Sequence, residues 1–406
     1  MRVLIVSQYY PPENVLIPFD VAQGLRERGH DVRVLTGYPN YPAGQIFPGY
    51  RQRWRHRSIE QGIDVLRVPL FIDHSQNAMK RMMNYFTFAC SSALAWRFSR
   101  GVDVIYVYAT QMTPALGPWL WRKAGGAPYV LHVQDLWPDS IIGSALSGGG
   151  KKAQLIEAFL TPWLKRVYMR ASGVIAIAPR MLDTLVDRGV LREKARLVYN
   201  WAGEVPSPKQ PEFQADGPVR IVYAGNLGEM QDLENVVRAA AEVEPSQMQL
   251  TLVGDGVMKP LLEALVSDLG VNHVHFKEPV PKEQMAEIYS SADFGLVSLR
   301  ALPVFEGTVP SKFQTILAHG LPVVTTVQGD VRSITDEYGL GITADAESVH
   351  DLVRAFRAAA SCTPEARQRM GDQARKAAKE MFARDGAIDK IEASLADASY
   401  GGKVRK

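Results

Sequence analysis

The strongest constraint on this chain is a rhythm. Short, almost continuously apolar runs alternate with helical patterns, the series breaks once, and then it resumes. RVLIVSQ (2–8), DVRVLTG (31–37), IDVLRV (63–68), DVIYVYA (103–109), PYVLHVQ (128–134), GVIAIA (173–178) and ARLVYN (195–200) come first. Such uninterrupted hydrophobicity marks strands buried on both faces, and a parallel sheet covered by helices meets that requirement. A stretch rich in proline and polar residues, WAGEVPSPKQPEFQADGP (201–218), has no periodicity and reads as an interdomain linker. The pattern restarts with VRIVYAG (219–225), QLTLVG (249–254), HVHF (273–276), DFGLVSL (293–299), LPVVTT (321–326) and GLGITA (339–344). The expected class is α/β, as two tandem Rossmann-like, doubly wound domains. The length of 406 residues suits two domains. The expected boundaries are 1–200, 201–384 and 385–406, the last being the end of a long helical run that crosses back to the first domain.

Composition narrows the class without naming a function. Hydrophobic residues make up 46% and charged residues 22%, which excludes wholesale disorder. A net charge of +3 is too small to argue for a nucleic-acid partner. The basic run YRQRWRHR (50–57) reads as a solvated surface loop, with contact to an anionic membrane surface as the other reading. The two cysteines, Cys90 and Cys362, lie in no metal-ligand spacing and fit a reducing cytosol. The N-terminal apolar run is too short for a signal peptide. No stretch reaches about 18 apolar residues, so peripheral attachment is the membrane option left open.

Ligands of open α/β sheets bind beyond the carboxyl ends of strands, which directs attention to three loops in the second half. Gly225-Asn226-Leu227-Gly228-Glu229-Met230-Gln231 follows one strand, and its paired glycines let backbone amides approach a phosphate or sugar, although taken alone the motif reads more simply as a plain turn. Gly254-Asp255-Gly256 ends the next strand, where Asp255 either caps the following helix or meets a ligand. VPSKFQTILAHGLPVV (309–324) reads as a helix opened by Pro310, capped by Ser311 and stopped by Gly320. Lys312 in its first turn is electrostatically misplaced against the helix dipole unless an anion binds there. Three such loops in one domain describe a nucleotide diphosphate site.

The combination of SQYYPPEN (7–14), RGHDVRVLTGYPNYPAGQIFPGY (28–50), NYFTF (84–88), LHVQDLWPDS (131–140), YAGNLGEMQDL (223–233), LVGDG (252–256) and the 309–324 segment resembles family 4 glycosyltransferases of the GT-B type. Within them it resembles the bacterial L-fucosamine transferases of O-antigen and capsule assembly. The resemblance implies two domains facing each other across a cleft. It implies a nucleotide-sugar donor in the second domain, with uridine as the base and an N-acetylated deoxy sugar as the expected group, retention of configuration, and no cofactor or catalytic metal. It further implies a polyprenyl-diphosphate-linked saccharide acceptor met at the inner face of the cytoplasmic membrane.

Carried over residue by residue, the donor site takes Gly225, Asn226, Leu227, Gly228, Gln231, Gly254, Asp255, Glu306, Ser311, Lys312, Gln314 and Thr315. Asn226 and Gln231 stand where many relatives carry arginine and lysine, which leaves Lys312 as the diphosphate cation. Thr315 replaces the second of two acids usually spaced eight apart; Gly307 occupies the first position, with Glu306 beside it. The acceptor loops take Pro12, Glu13, Asn14, Tyr38 and Asn40. In the first domain His132, Gln134 and Asp135 are the catalytic candidates. His132 either replaces the histidine that relatives place at position 134 or is a satisfied core residue, and Asp135 either binds a sugar hydroxyl or caps a turn.

The helix within 78–100 speaks about location. Met79, Met82, Met83, Phe86, Cys90, Ala93 and Leu94 form a stripe that core packing explains. Tyr85, Phe88 and Trp96 lie off it, and Lys80, Arg81, Arg97 and Arg100 bracket the segment, as in helices resting at a lipid interface. His273 and His275 share a strand face without a third ligand, so no metal is expected. A nicotinamide-dependent oxidoreductase and a non-enzymatic two-lobed sugar binder are the alternative functions. The first lacks a GxGxxG turn after RVLIVSQ.

Overall fold

In a computed structural model, which describes residues 1–73, 78–139, 151–201, 211–281 and 284–404, each apolar run becomes a strand. The chain divides into two units, Met1–Tyr199 with Arg384–Lys406, and Asn200–Ala383. Most of the expected linker, 202–210, lies outside the described residues.

The first unit carries an eight-stranded sheet among its described residues, in the order β3-β4-β2-β1-β5-β6-β7-β8. The strands are β1 (Arg2–Val6), β2 (Asp31–Gly37), β3 (His56–Glu60), β4 (Ile63–Val68), β5 (Val104–Ala109), β6 (Tyr129–Val133), β7 (Gly173–Ala176) and β8 (Ala195–Leu197). All pairings are parallel except β3 against β4. β5 and β6 are buried along their whole length, which is why they are apolar without alternation. β3 is the strand that the apolar pattern misses. It begins inside the basic run read as a loop and alternates in exposure, as a charged edge strand does. Strand order reverses at β1, between β2 and β5, so the loops after β1 and β5 face the ligand-binding end.

The long C-terminal helical run is two helices, Pro364–Met381 and Arg384–Val404. The second belongs to the first unit, where Ile388, Ile391 and Leu395 are fully buried. An added Cβ on Gly24 would lie 2.4 Å from Ile388 Cδ1, so glycine there lets helix Ile17–Glu27 meet the C-terminal helix. Arg28 and His30 of the RGHDV turn bind Asp389 and Glu392, which gives that motif an architectural role.

The second unit has a parallel sheet in the order β11-β10-β9-β12-β13-β14, comprising β9 (Val219–Ala224), β10 (Met248–Val253), β11 (Val274–Lys277), β12 (Phe294–Val297), β13 (Val323–Thr325) and β14 (Gly341–Thr343). Its order reverses at β9, between β10 and β12, which puts the 225–231 loop at the switch point. One core runs through β9, β10 and helices Leu233–Ala241 and Val349–Ala360, with Tyr223, Val236, Leu252 and Phe356 at its centre. Helix Ser311–Ala318 is seated on β12 through Gly295, where an added Cβ would meet Ile316 at 2.7 Å.

Candidate active site

Two glycine loops meet backbone to backbone at the carboxyl ends of β9 and β10. Gly225 and Gly254 have φ of +138° and +143°, a region that favours glycine. A Cβ on Gly254 would fall 2.0 Å from the Gly225 carbonyl oxygen. The loops are laced together by Gly225 N–H donating to the Val253 carbonyl (2.9 Å) and Leu227 N–H donating to the Asp255 carbonyl (2.8 Å). Against them lies the amino end of helix Ser311–Ala318. Its N-cap is Pro310, and no side chain caps its first turn. Ser311 therefore sits one position inside the cap expected of it, and the helix end keeps its anion-binding amides.

These elements enclose a cavity of about 590 Å³ lined by Gly225, Asn226, Gly254, Asp255, Ser311, Lys312 and Thr315, and walled by Pro279, Val280, Met285 and Tyr289. Among the described lining residues Lys312 is the sole cation. Its ammonium donates to the Tyr223 hydroxyl and lies 3.9 Å from the centroid of that ring. No carboxylate pairs with it among the described residues, and burial lowers its pKa to about 8. A desolvated cation without a counter-ion, beside helix amides, is a seat for a multivalent anion.

A larger cavity, of about 720 Å³, lies in the first unit, lined by residues that precede β5 and β6. It sits at the amino ends of those strands, the end of an open α/β sheet that does not bind cofactors or substrates. The smaller cavity is the donor candidate.

Several expected donor residues stay outside it. The Leu227 side chain is fully buried in the core, and its carbonyl accepts from Met258 N–H (2.9 Å). Gln231 caps its own loop, accepting from Gly228 N–H at 3.1 Å, and Gly228 is buried against Asn226. Gln314 is buried on the inner face of its helix. Glu306 ends the short helix Pro303–Glu306, its carbonyl against Gly329, and does not line the cavity. Asp255 does not cap the next helix; its carboxylate accepts from Gly256 N–H, and it faces the cavity. Tyr223, which sequence reasoning missed, had one signal: a tyrosine in a doubly buried strand needs a partner for its hydroxyl.

The first-unit candidates fare differently. His132 is fully buried, its Nδ1 bonded to the Tyr106 hydroxyl and its ring edge-on to Tyr106 and Tyr108. Burial depresses its pKa to about 3, so it is a neutral core residue and not a surface catalyst. Period two picks a face of β6, but helices cover both faces. Gln134 is buried, its N–H donating to the Ala109 carbonyl. Asp135 is exposed at the end of β6, yet enough protein surrounds it that desolvation raises its pKa to about 6. Glu13 does not present its carboxylate to a ligand. It accepts from the N–H groups of Tyr10 (3.1 Å), Asn40 (2.8 Å) and Tyr41 (2.9 Å), clamping the loops after β1 and β2 together. Burial raises its pKa, with those amides opposing the rise. Asn40 and Tyr38 are buried in the same joint, whereas Pro12 and Asn14 are exposed.

The helix Ala78–Ala93 reverses expectation. Phe88 is 0% exposed, while Met79, Met83, Phe86 and Leu94 of the expected core stripe face solvent. Lys80 pairs with Asp73, and Arg81 is half-buried. Trp96 is exposed. His319, at the end of helix Ser311–Ala318, is buried against Tyr289 with its pKa lowered to about 4, so it stays neutral.

Residues 19–201 match the family model for a glycosyl transferase 4-like domain, and residues 207–377 match that for glycosyl transferases group 1. The chain is 29% identical over 381 residues to WcaI of Escherichia coli K12, a candidate colanic acid biosynthesis glycosyl transferase, spanning 88% of this chain and 92% of that protein. It is 24% identical to a GDP-mannose-dependent alpha-mannosyltransferase of Mycolicibacterium smegmatis, spanning 86% and 85%. In fold it is similar to sucrose-phosphate synthase from Thermosynechococcus elongatus, with a TM-score of 0.68, 17% identity and 97% of each chain covered. The Anabaena protein HepE, in a structure with UDP and glucose, gives 0.64 at 14% identity, covering 98% and 99%. The family matches set aside the oxidoreductase and the non-enzymatic binder. The chain is a family 4 type glycosyltransferase with the GT-B fold, and nucleotide sugar is its donor class.

Proposed function

We propose that the protein moves a sugar, with retention of configuration and without a metal, from a UDP-sugar to a hydroxyl of a polyprenyl-diphosphate-linked saccharide in surface-polysaccharide assembly. The observation that carries the donor half is Lys312, a half-buried cation without a carboxylate partner among the described residues, between two glycine loops and an uncapped helix. Uridine is the base named in the HepE structures, and colanic acid is the polysaccharide named for WcaI.

As the glycosidic bond breaks, negative charge grows on the departing diphosphate. Lys312 and the amides at 311 and 312 then bind more tightly in the transition state than in the ground state, which is what accelerates the step. The acceptor hydroxyl attacks from the face the diphosphate leaves, and its proton passes to that leaving group. Asp135, its pKa raised to about 6 by desolvation, is ionised at neutral pH, accepts a hydrogen bond from the acceptor sugar and orients it.

A thermal-shift panel of nucleoside diphosphates and nucleotide sugars tests the reading, since a specific ligand stabilises by RT ln(1 + [L]/Kd). UDP should raise the melting temperature more than GDP, ADP or dTDP, and chelator should leave the shift unchanged. A larger shift with GDP moves the base to that named for the mannosyltransferase.

A further inference from the structure

Two segments about forty residues apart in sequence form one surface on the first unit. The Arg55 side chain donates to the Leu94 carbonyl at 2.7 Å, and the Arg57 guanidinium lies 5.5 Å from the Phe98 ring centroid. These contacts lay the basic run, whose last residues begin β3, against the end of helix Ala78–Ala93 and the turn Trp96–Ser99. Trp54 is 60% exposed and Trp96 47% exposed, with Leu94 beside them. Met79, Met83 and Phe86 extend the apolar surface along one face of the helix. Arg97 and Arg100 each place a guanidinium 5.6 Å from the Trp96 ring centroid. Among the described residues no carboxylate pairs with Arg51, Arg53, Arg55, Arg97 or Arg100, although Arg57 is held by Asp64 and Lys80 by Asp73.

We infer that this face docks on an anionic phospholipid bilayer, with Trp54 and Trp96 in the headgroup layer and the arginines on lipid phosphates. Two exposed indoles, Trp96 flanked by the guanidiniums of Arg97 and Arg100 and Trp54 set in a run of arginines, match the amphipathic depth of a bilayer interface, where one end of a side chain is apolar and the other wet. Interleaved methionine, phenylalanine and leucine side chains gain nothing from a nucleic-acid backbone but gain from acyl chains. The Tyr38 hydroxyl accepts the Arg53 N–H at 3.0 Å, so the tryptophan-bearing loop is anchored to the loops read as acceptor-facing. The inference rests on the proposed lipid-linked acceptor in that docking would bring the first unit to such a substrate.

The test is co-sedimentation of the full chain with phosphatidylcholine vesicles, with and without phosphatidylglycerol, alongside a UDP thermal shift on each variant. The protein should pellet with the phosphatidylglycerol vesicles, bind less as salt rises, and stay in the supernatant with phosphatidylcholine alone. Each arginine removed from Arg53 and Arg97 should weaken binding roughly fivefold. Trp54→Ala with Trp96→Ala should weaken it by about tenfold or more. Unchanged melting curves and UDP shifts in these surface variants confirm that they fold. Equal binding to both vesicle types, no binding, full binding by the variants, or equal retention on RNA overturns the inference. Vesicle binding without sugar transfer to a lipid-linked acceptor instead overturns the acceptor reading and leaves docking intact.

Discussion

The Lys312 ammonium is held by Tyr223 from two directions, through a hydrogen bond to its hydroxyl and a 3.9 Å approach to its ring centroid. The ring replaces part of the lost water by its quadrupole without neutralising the charge. A carboxylate in that place would have satisfied the cation and repelled a diphosphate. The tyrosine keeps the charge available and fixes where it points.

Lys312→Ala should slow turnover by roughly 10²- to 10³-fold with the fold retained, the scale expected when one preorganised donor is removed. Nucleoside diphosphate release under saturating donor, with a melting curve on the same sample, checks it. Tyr223→Phe keeps the ring and should cost less than about tenfold. Near-normal turnover in the alanine variant would remove Lys312 from the mechanism.

The same residue sets a pH dependence. Burial holds the Lys312 pKa at about 8, below its ordinary 10.5, so the ammonium loses its proton as pH rises through 8. A diphosphate binds the charged form, so affinity should fall across that range, and binding near about pH 9 should take up a proton. Calorimetry in buffers of different ionisation heat reads that uptake, and Lys312→Met should abolish it. Stability of the bare protein runs the other way. Between pH 8 and 10.5 the unfolded chain holds the extra proton, so this group's contribution rises with pH in that window.

Gly254→Ala should be far more damaging than Gly29→Ala. Both glycines have positive φ, so each substitution carries backbone strain of about 1 to 3 kcal/mol. A Cβ at 254 also strikes the Gly225 carbonyl oxygen at 2.0 Å, whereas one at 29 meets nothing within 4 Å. Urea unfolding should show the difference, and UDP binding should be lost at 254 and kept at 29.

Asp135→Asn should lower sugar transfer by about 10²-fold while leaving nucleotide affinity unchanged. The native carboxyl, with its pKa raised to about 6, is protonated below that value, so transfer should decline as pH falls through 6. The asparagine variant should lose that acidic limb. A profile identical to the native one would confine Asp135 to shaping its turn.

The doubly wound architecture was legible because burial on both faces of a strand leaves a one-dimensional trace: β2 and β4 fall where DVRVLTG and IDVLRV stand. Lys312 was legible for a similar local reason, since a cation in a first helical turn conflicts with the helix dipole whatever surrounds it. β3 left no trace, because a charged edge strand is defined by its partner β4 and not by its own composition. The resemblance put Gln314, Leu227 and Gln231 in the donor site, and packing turns the side chain of each elsewhere. The burial of Phe88, and the choice between a catalytic and a core role for His132, were beyond the sequence for one reason: helical and strand periods say which residues share a face, but only the neighbouring elements decide whether that face meets water. The joining of Arg55 to Leu94, and of Tyr223 to Lys312 across 89 positions, is a property of the folded chain alone, because such contacts exist only once the sheet has set its strand order.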